Sequence, residues 1–567
     1  MRTLLLAGIS TRRSVFGALV LSSLLACGGP DPAMAPPAVV TAPPPVASAP
    51  DPEAFRRSPP GPDGAIEANL PNARKFTLRN GVEVHFVERK ESPLVQVAAV
   101  FREGSGDVYG TNGRIELLPV VVSSMGELLE AGVKGYSAES LSNAYETLGA
   151  DHGAWFDWDR GVAFVRLLGP DLEKGVDLLA KVLRDPTFPT EELERLKKKR
   201  SGALELEASN PRSVAVRALH QSLLGPDTAY GHSPAGTKDE LKKLDGAAVR
   251  KAYDRLVRPD LLTLVAVGND EAAIRKVLEE KFGSWTKPKL APCPKATAPA
   301  TPGVWTTLVG PCGDPKPQAR ATEARLIGVQ KDNAKQTYVM VADRGVPAGL
   351  GYRESLRGGA KPSELADLTK IQVMNAILGG MFTSRINLNL REKHAYTYGA
   401  NSRFARWHAD GLFYVSSGIV AEKTADAVHQ IFLELGRMAR EQVTEDELRD
   451  AKNYLKLSML GRMETTSELA DELSQLPPYG RDSSYWNSWI KGIEAVTQAD
   501  VLQAAKTYLK TDRMKVILVG DLKKLSPSLE ALHLGALEER DPMGFVLPLP
   551  TKAVADKKAE SKKTETK

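Results

Sequence analysis

Cysteine and closely spaced histidine are scarce in this sequence. The 567 residues contain three cysteines and eight histidines, and no two histidines lie closer than twelve positions apart. The two spacings that most often mark a zinc site, CxxC and HxxEH, are therefore both absent. The sequence also lacks a GxSxG nucleophile motif, a phosphate-binding P-loop and a GxGxxG after a strand pattern. These absences exclude the best-marked classes of hydrolase and nucleotide-binding enzyme.

The sequence also has no large excess of positive or negative charge. The formal net charge is +5, but three arginines lie in the N-terminal leader, and the last seventeen residues carry six lysines against three carboxylates. The body of the chain is therefore close to neutral. A nucleic-acid-binding protein needs a concentrated basic face, so no nucleic-acid partner is expected.

The first 26 residues have the parts of a bacterial export signal: arginines, an apolar run, and small residues before a cysteine. The apolar run is too short for a membrane-spanning helix. The letters LLAC at 24–27 resemble a lipobox, which predicts lipid attachment at Cys27. Gly28 after the cysteine favours an outer-membrane lipoprotein that faces the periplasm or the cell surface. Alternatively, the segment is a plain signal peptide with an incidental cysteine.

Two segments have compositions that cannot build a core. Residues 27–70 are rich in proline and alanine and are predicted to be an extended tether. Residues 289–321 are a second proline-rich stretch, interpreted as a connector, and they contain Cys293 and Cys312. In an oxidising compartment these two cysteines can form a disulfide, or they are two unpaired thiols.

The remaining sequence contains an internal repeat. VRKAYDRLVRPDLLTLVAVGND from Val249 matches VLQAAKTYLKTDRMKVILVGDL from Val501 at an offset of 252. A second pair, around Thr190 and Thr444, has an offset of about 254, and the later member has a capping-box pattern. The repeat predicts two domains of similar plan, 71–288 and 322–535, followed by a basic disordered tail, 536–567.

Each half begins with strand patterns and continues with helices. In the first, apolar and polar residues alternate around Asn80-Gly81, which is a strong hairpin signal. Helices of ten or more residues follow without strict strand–helix alternation. The predicted fold class is α+β, with helices packed on one face of a largely antiparallel sheet in each half.

Several stretches, in the expected order, resemble the M16 family of metallopeptidases, the group of insulysin, pitrilysin and the mitochondrial processing peptidase. They are TLRNGVEVHFVE from residue 77, AYGHSPAGTKDELKKL from 229, LVAVGNDEAAIRKVLEEKFGSW from 264 and SRINLNLREKHAYTYG from 384. The resemblance covers about residues 76–532. It implies a clam shell of two homologous halves around a chamber for an unfolded peptide, completed in many short bacterial members by a second subunit.

Catalysis in this family needs HxxEH on a first-half helix, where two histidines bind zinc and the glutamate activates a water. The corresponding positions, counted back from Gly132, are Ser123, Ser124, Met125, Gly126 and Glu127. Both histidines and the general base are missing, so no zinc or other cofactor is expected in this chain.

The family's distal zinc ligand is a glutamate on a later helix. Glu205 or Glu207 is the candidate here, but without histidine partners each is better explained as part of a solvated helix face. His220 and His232 are likewise interpreted as loop or packing residues.

Arg391 and Tyr398 match the arginine and tyrosine of the family's second-half motif. The resemblance implies that they hydrogen-bond the substrate backbone and stabilise the oxyanion beside zinc. The alternative is a structural hydrogen bond at a corner between helix and strand. Lys393-His394-Ala395 departs from the family's usual turn, which leaves the local geometry open.

Three functional hypotheses follow. The leading one is a non-catalytic subunit that pairs with an HxxEH-bearing M16 chain, which would hold the zinc. The second is a peptide-binding or scaffold lipoprotein of the cell envelope that serves no protease. The third, a self-sufficient zinc protease with a displaced site, is opposed by the wide spacing of the histidines.

Overall fold

The computed structural model describes residues 70–108, 115–226, 228–288, 323–348 and 363–547. The predicted export signal, Cys27 and all but the last residue of the tether lie outside these residues. So do the connector with Cys293 and Cys312, and the chain after residue 547. No helix of the described part is both long and apolar enough to cross a membrane.

The first half is built on a six-stranded sheet in the order β1-β2-β8-β3-β7-β6. Its neighbouring strands pair antiparallel except for β2 and β8. The strands of this half are β1 Arg74–Thr77, β2 Glu83–Glu88, β3 Leu94–Phe101, β4 Gly132–Val133, β5 Tyr136–Ser137, β6 Asp151–Phe156, β7 Gly161–Leu168 and β8 Leu262–Gly268. The helices are α1 Pro119–Leu128, α2 Ala138–Thr147, α3 Leu172–Arg184, α4 Thr190–Ser209, α5 Pro211–Leu224, α6 Lys238–Lys243, α7 Gly246–Leu256 and α8 Glu271–Phe282.

The second half has a sheet in the order β11-β12-β10-β13-β9-β14, in which β9 pairs parallel with β13 and with β14. The strands are β9 Leu326–Gln330, β10 Gln336–Arg344, β11 Ala400–Arg406, β12 Gly411–Val420, β13 Lys515–Gly520 and β14 Leu537–Arg540. The helices are α9 Ser363–Asn375, α10 Arg385–Asn387, α11 Thr424–Arg440, α12 Glu445–Gly461, α13 Thr466–Ser474, α14 Ser484–Ala495, α15 Gln498–Tyr508 and α16 Leu522–Glu530.

The internal repeat is visible in the elements themselves. Helix α15 begins and ends 252 positions after α7, which is the offset of the sequence match. Strand β13 follows α15 as β8 follows α7, and both strands are buried along their whole length. The predicted α+β fold of two similar halves is confirmed.

Local signals in the sequence place several element boundaries. Gly81 has a φ of 90°, a conformation that suits glycine, at the turn between β1 and β2. At the start of α12, Thr444 accepts from the Glu447 amide, and the Glu447 side chain accepts from the Thr444 amide. This reciprocal capping box satisfies two amides that would otherwise lack partners.

Each sheet has two apolar faces, and its own half's helices cover only one of them. The second face of the first sheet packs against α13, whose Leu469 and Leu473 are buried beside β3 and β8. The second face of the second sheet packs against α5, whose Ala218 and Leu219 are buried beside β10 and β13. Each half therefore contributes one helix that covers the second face of the other half's sheet.

The folded second half extends beyond the predicted boundary at residue 535. Strand β14 adds to the sheet edge beside β9, and Gly544 then lies against α5 of the first half. Arg540 is buried and donates to the Gly544 carbonyl at 2.9 Å. The stretch 537–547, which the sequence analysis assigns to the tail, is therefore part of the folded body.

Candidate functional site

Helix α1 carries residues 123–127, the five positions that the sequence analysis compares with HxxEH. It begins at Pro119, whose fixed φ suits the first turn of a helix, and runs through Ser123 to Glu127. Ser124 and Met125 are buried. Ser123 and Glu127, the two residues predicted to stand at the histidine positions, lie four residues apart and so share one helix face.

An arginine from α4 fills the space between these two side chains. Arg200 donates from Nη1 to Ser123 Oγ at 2.9 Å and from Nη2 to Glu127 Oε1 at 2.6 Å. Its Nη1 also donates to the Pro234 carbonyl at 3.1 Å, and the residue is buried. A fixed positive charge therefore occupies the place where a zinc site would need neutral histidines and a free cavity. The residues present do not fit zinc.

The general-base position is closed by the backbone of the neighbouring strand. A Cβ added at Gly126 would lie 2.7 Å from the Phe156 amide nitrogen and 3.0 Å from the Trp155 carbonyl carbon, both on β6. Glycine inside a helix costs about 1 kcal/mol relative to alanine. The close approach of α1 to β6 explains why glycine stands here, and it leaves no room for a glutamate.

The candidates for the distal ligand are paired with other side chains. Glu205 accepts from Lys238 Nζ at 2.7 Å, and Glu207 pairs with Arg217. His220 Nδ1 is 2.8 Å from the Tyr230 carbonyl, and His232 Nδ1 is 2.7 Å from Glu240 Oε1. These contacts agree with packing or surface roles.

Arg200 is the residue of this site that the sequence analysis missed. It ends the run KKKR at 197–200, which has the composition of a solvated helix face. Only the helical periodicity could have predicted its burial. Arg200 falls on the same side of α4 as the buried residues Leu193, Leu196 and Leu204.

A cavity of about 670 Å³ opens beside Glu127, between α1, α2, β6 and α4. Among the residues that line it, His152 is the one histidine, and its Nδ1 is 2.8 Å from Glu130 Oε1. The imidazole stacks on the buried ring of Tyr145, with the ring centroids 3.8 Å apart. Burial, with the nearby charge of Glu130, raises the pKa of the Tyr145 hydroxyl. One histidine–glutamate pair does not make a catalytic zinc set.

The second-half motif forms a bent corner. Helix α10 continues into a π-helical stretch, Leu388–Lys393, and the chain then reaches β11 through residues 394–399. Ala395 has a φ of 54° at the turn, and its amide donates to the Arg391 carbonyl at 3.1 Å. Asn387 links both sides of the corner, since it donates to Phe382 O and accepts from the Ala400 amide.

The corner is also tied to α12. Arg385 donates to both carboxylate oxygens of Glu447, at 2.6 and 2.8 Å. Burial alone would raise the pKa of Glu447, but the Arg385 guanidinium and the Thr444 amide outweigh it, and the pKa is lowered. The carboxylate therefore stays ionised at neutral pH and holds the corner in place.

Arg391 and Tyr398 both face outward from this corner. The Arg391 guanidinium lies over the Phe382 ring, 4.6 Å from its centroid, and its side chain is 36% exposed. Tyr398 is 91% exposed. Within the described part of the chain the two side chains make no hydrogen bond to each other. Both are thus available to a partner or a peptide.

Two family models match the chain. One, described as "Insulinase (Peptidase family M16)", matches residues 127–232, and the other, "Peptidase M16 inactive domain", matches residues 243–455. The first match begins at Glu127, so it omits four of the five positions that correspond to HxxEH.

Curated relatives and solved structures agree with these models. An uncharacterized zinc protease of Streptomyces coelicolor is 23% identical over 82% of this chain and 90% of its own length. The beta subunit of the mitochondrial-processing peptidase of Blastocladiella emersonii is 24% identical over 81% and 90%. A peptidase M16 inactive domain of Pseudomonas fluorescens shares the fold with a TM-score of 0.65, at 23% identity over 79% of this chain and 98% of that one. A Helicobacter pylori protease has a TM-score of 0.64, at 17% identity over 79% and 100%.

The closeness of α1 to β6 is tested by Gly126→Ala. The added methyl meets the β6 backbone, so we expect a loss of about 1–3 kcal/mol in the free energy of unfolding, the usual cost of overpacking. The control is Gly202→Ala on α4, where a Cβ meets nothing within 4 Å. That change should stabilise by about 0.4–1 kcal/mol. Equal effects in a urea titration would contradict the packing argument.

The Arg200 bridge is tested by Arg200→Ala. It leaves Ser123 Oγ without the donor that it accepts from, whereas the Pro234 carbonyl still accepts from the Ser123 hydroxyl at 2.6 Å, and we expect a cost of about 1–3 kcal/mol. The carboxylate of Glu127 is partly exposed, which keeps the cost below that of a fully buried pair. Lys199→Ala removes the other cation near Glu127, and since Lys199 is exposed its loss should cost less than about 0.5 kcal/mol. Denaturant midpoints of the two variants that do not differ would refute this role of Arg200.

Proposed function

We propose that this chain belongs to the M16 (insulinase-like) peptidases and acts as the non-catalytic subunit of a two-chain zinc endopeptidase. The matches to two family models and to several relatives support membership of the family. The observation that carries the proposal is the guanidinium of Arg200 between Ser123 and Glu127. The second-half corner, in contrast, keeps Arg391 and Tyr398 outward-facing. The chain thus has one half of a peptidase site and has replaced the other.

The chemistry of the exposed pair supports a role in peptide binding. An arginine offers charged, forked donors to a carbonyl oxygen or an oxyanion, and a tyrosine hydroxyl adds one directional donor. The Phe382 ring beneath the Arg391 guanidinium holds it by a cation–π contact, which uses no N–H donor, and Nε also lies 3.4 Å from Glu392 Oε1. In the proposed complex these donors bind the backbone of an unfolded peptide.

The names of the relatives are compatible with this assignment. One is itself a subunit, the beta subunit of a mitochondrial-processing peptidase, and others are named zinc proteases. In the proposed complex the zinc belongs to the HxxEH-bearing partner subunit, and this chain closes the peptide chamber.

The isolated chain is predicted to cleave no unfolded peptide and to hold no zinc at residues 123–127. The check is a peptide-cleavage assay on the purified chain, with and without a chelator. Cleavage that a chelator abolishes would refute the proposal.

The partner is an HxxEH-bearing chain that is captured together with this protein. Peptide cleavage should appear when that chain is added to the purified protein. In the reconstituted pair, Arg391→Ala should lower kcat by about 10²–10³-fold, the usual loss on removal of one oxyanion donor. Tyr398→Phe keeps the ring and removes the hydroxyl, so it should also lower kcat. Arg449→Ala, an exposed arginine on α12, is the matched control and should leave kcat unchanged. Unchanged turnover in Arg391→Ala would favour a structural role for the pair.

A non-enzymatic peptide-binding lipoprotein is the second candidate, because the filled zinc position and the outward-facing donors fit it equally. The two candidates differ in one outcome. Capture of unfolded peptide without any HxxEH-bearing chain, lost in Arg391→Ala but not in Arg449→Ala, would favour the second candidate.

We further propose that the chain is an exported lipoprotein anchored through Cys27 in the cell envelope. The LLAC stretch before a proline-rich tether supports this. Cys27→Ala should move the protein from the membrane fraction to the soluble fraction, whereas Cys312→Ala should not. Membrane retention of the Cys27 variant would contradict lipid anchoring.

A further inference from the structure

The corner that presents Arg391 contains a wide helical turn. Through residues 388–393 the chain is π-helical, and the Asn389 carbonyl accepts from the amide of His394, five residues later, at 3.1 Å. In an α-helix this bond would come from the fourth residue. Such wide turns are rare and occur frequently at functional sites. Arg391 lies inside the wide turn, so the direction of its side chain depends on the extra residue.

The side chain of Asn389 is held by helix α11. Asn389 is buried, and its Nδ2 donates to Glu434 Oε1 at 2.7 Å and to Gln430 Oε1 at 3.2 Å. An ionised carboxylate can only accept, which fixes the amide nitrogen of Asn389 on this side. Gln430 and Glu434 lie four residues apart and so share one face of α11. Asn389 thus has its carbonyl in the wide turn and its side chain bonded to a neighbouring helix.

Helix α11 is a rigid support for this bond. It spans 17 residues, Thr424–Arg440, and buries Val428, Ile431 and Leu435 in the hydrophobic core. A functional side chain that is supported by a packed helix is held more precisely than one that is supported by a loop. The bond to Glu434 therefore fixes the wide turn relative to the core.

Glu434 carries a cost that packing alone does not explain. Its side chain is 6% exposed, and Arg437 Nη1, from the next turn of α11, lies 3.2 Å from both carboxylate oxygens. A buried carboxylate must be desolvated, and a well-packed apolar residue would avoid that cost. Within the described residues the carboxylate accepts from Arg437 and from Asn389. Of these bonds, the one to Asn389 connects α11 to another segment.

We propose that Asn389 and Glu434 are positioning residues that aim the Arg391 guanidinium at the bound peptide, an inference that rests on the proposed function. Held by Glu434, Asn389 keeps the extra residue in the turn, and Arg391 lies outward over the Phe382 ring. Loss of the extra residue would rotate the side chains after Asn389 by up to about 100° around the helix axis. The donors of Arg391 would then leave the position from which they bind the peptide backbone.

This bond has a different effect from the ion pair between Arg385 and Glu447. The ion pair joins α10 to α12 before the wide turn begins, so it fixes where the corner lies. The bond from Asn389 to Glu434 lies within the wide turn, so it fixes how the turn is wound. Its loss should therefore change the direction of Arg391 while Arg385 still holds the corner against α12.

The first test uses the isolated full chain and needs no partner subunit. Glu434→Met keeps the length of the side chain and removes both acceptor oxygens. Amide-exchange protection in peptides that cover residues 388–396 should then fall by about tenfold. Glu434→Gln keeps one acceptor oxygen and should retain most of the protection. Glu441→Met removes an exposed carboxylate beside the same Arg437, so it is the matched control and should leave the protection unchanged.

The second test measures kcat in the reconstituted pair. Glu434→Met should lower kcat by about 10²-fold, the usual effect of misplacing a substrate-positioning group by about 1 Å. In a chain that already carries Arg391→Ala, the same change should lower kcat no further, because the group that it positions is gone. A loss from general destabilisation would instead multiply with the loss from Arg391→Ala. If Glu434→Met does not fold, Asn389→Leu removes the donor from the other side and should give both results.

Two outcomes would overturn the positioning role. One is unchanged protection of residues 388–396 in Glu434→Met, and the other is a full further loss of kcat on top of Arg391→Ala. Either can occur in a pair that still cleaves peptide, so the proposed function would stand. An unsubstituted pair without cleavage would refute the proposed function itself, and the positioning role with it.

Discussion

The exchange of helices α5 and α13 is the constraint on which the rest of the molecule depends. A sheet with two apolar faces needs cover on both, and each half supplies only one layer of its own. Because α5 covers the second sheet and α13 covers the first, neither half can bury its core alone. This exchange also brings the segments that follow α5 and α13 to the turn between β6 and β7. There the hydroxyls of Tyr230 and Tyr479 both donate to Asp159.

The altered site on α1 depends on the same packing. Helix α4 leads directly into α5, so the position of α4 is fixed at its C-terminal end by a helix that the other half holds. This orientation brings Arg200 to Ser123 and Glu127. The guanidinium and the glycine at 126 are two separate obstacles to zinc chemistry, one electrostatic and one steric. Together they account for a helix on which the five residues 123–127 cannot hold zinc.

Much of the fold was predictable because its signals are local or periodic. The offset of 252 predicted paired elements, and Asn80-Gly81 and Thr444 marked a turn and a helix start. At residues 123–127 the sequence alone showed which zinc ligands are missing, but not which side chain takes their place. The partner of Glu127 lies 73 positions away on another helix, and no spacing rule connects Arg200 to it. His408 and Asp107 lie 301 positions apart in the sequence, so only the three-dimensional packing could reveal their contact.

The approach of α1 to β6 also decides how readily an HxxEH motif could be built into this chain. Its introduction would require new residues at positions 123, 126 and 127 and the removal of Arg200. The glutamate at 126 would first meet the backbone of β6, and histidine at 123 would first meet a resident guanidinium. Each single step would therefore pass through a less stable protein with no catalytic gain. The β6 backbone, which would lie under 3 Å from a Cβ at position 126, therefore opposes the introduction of the motif at its general-base position.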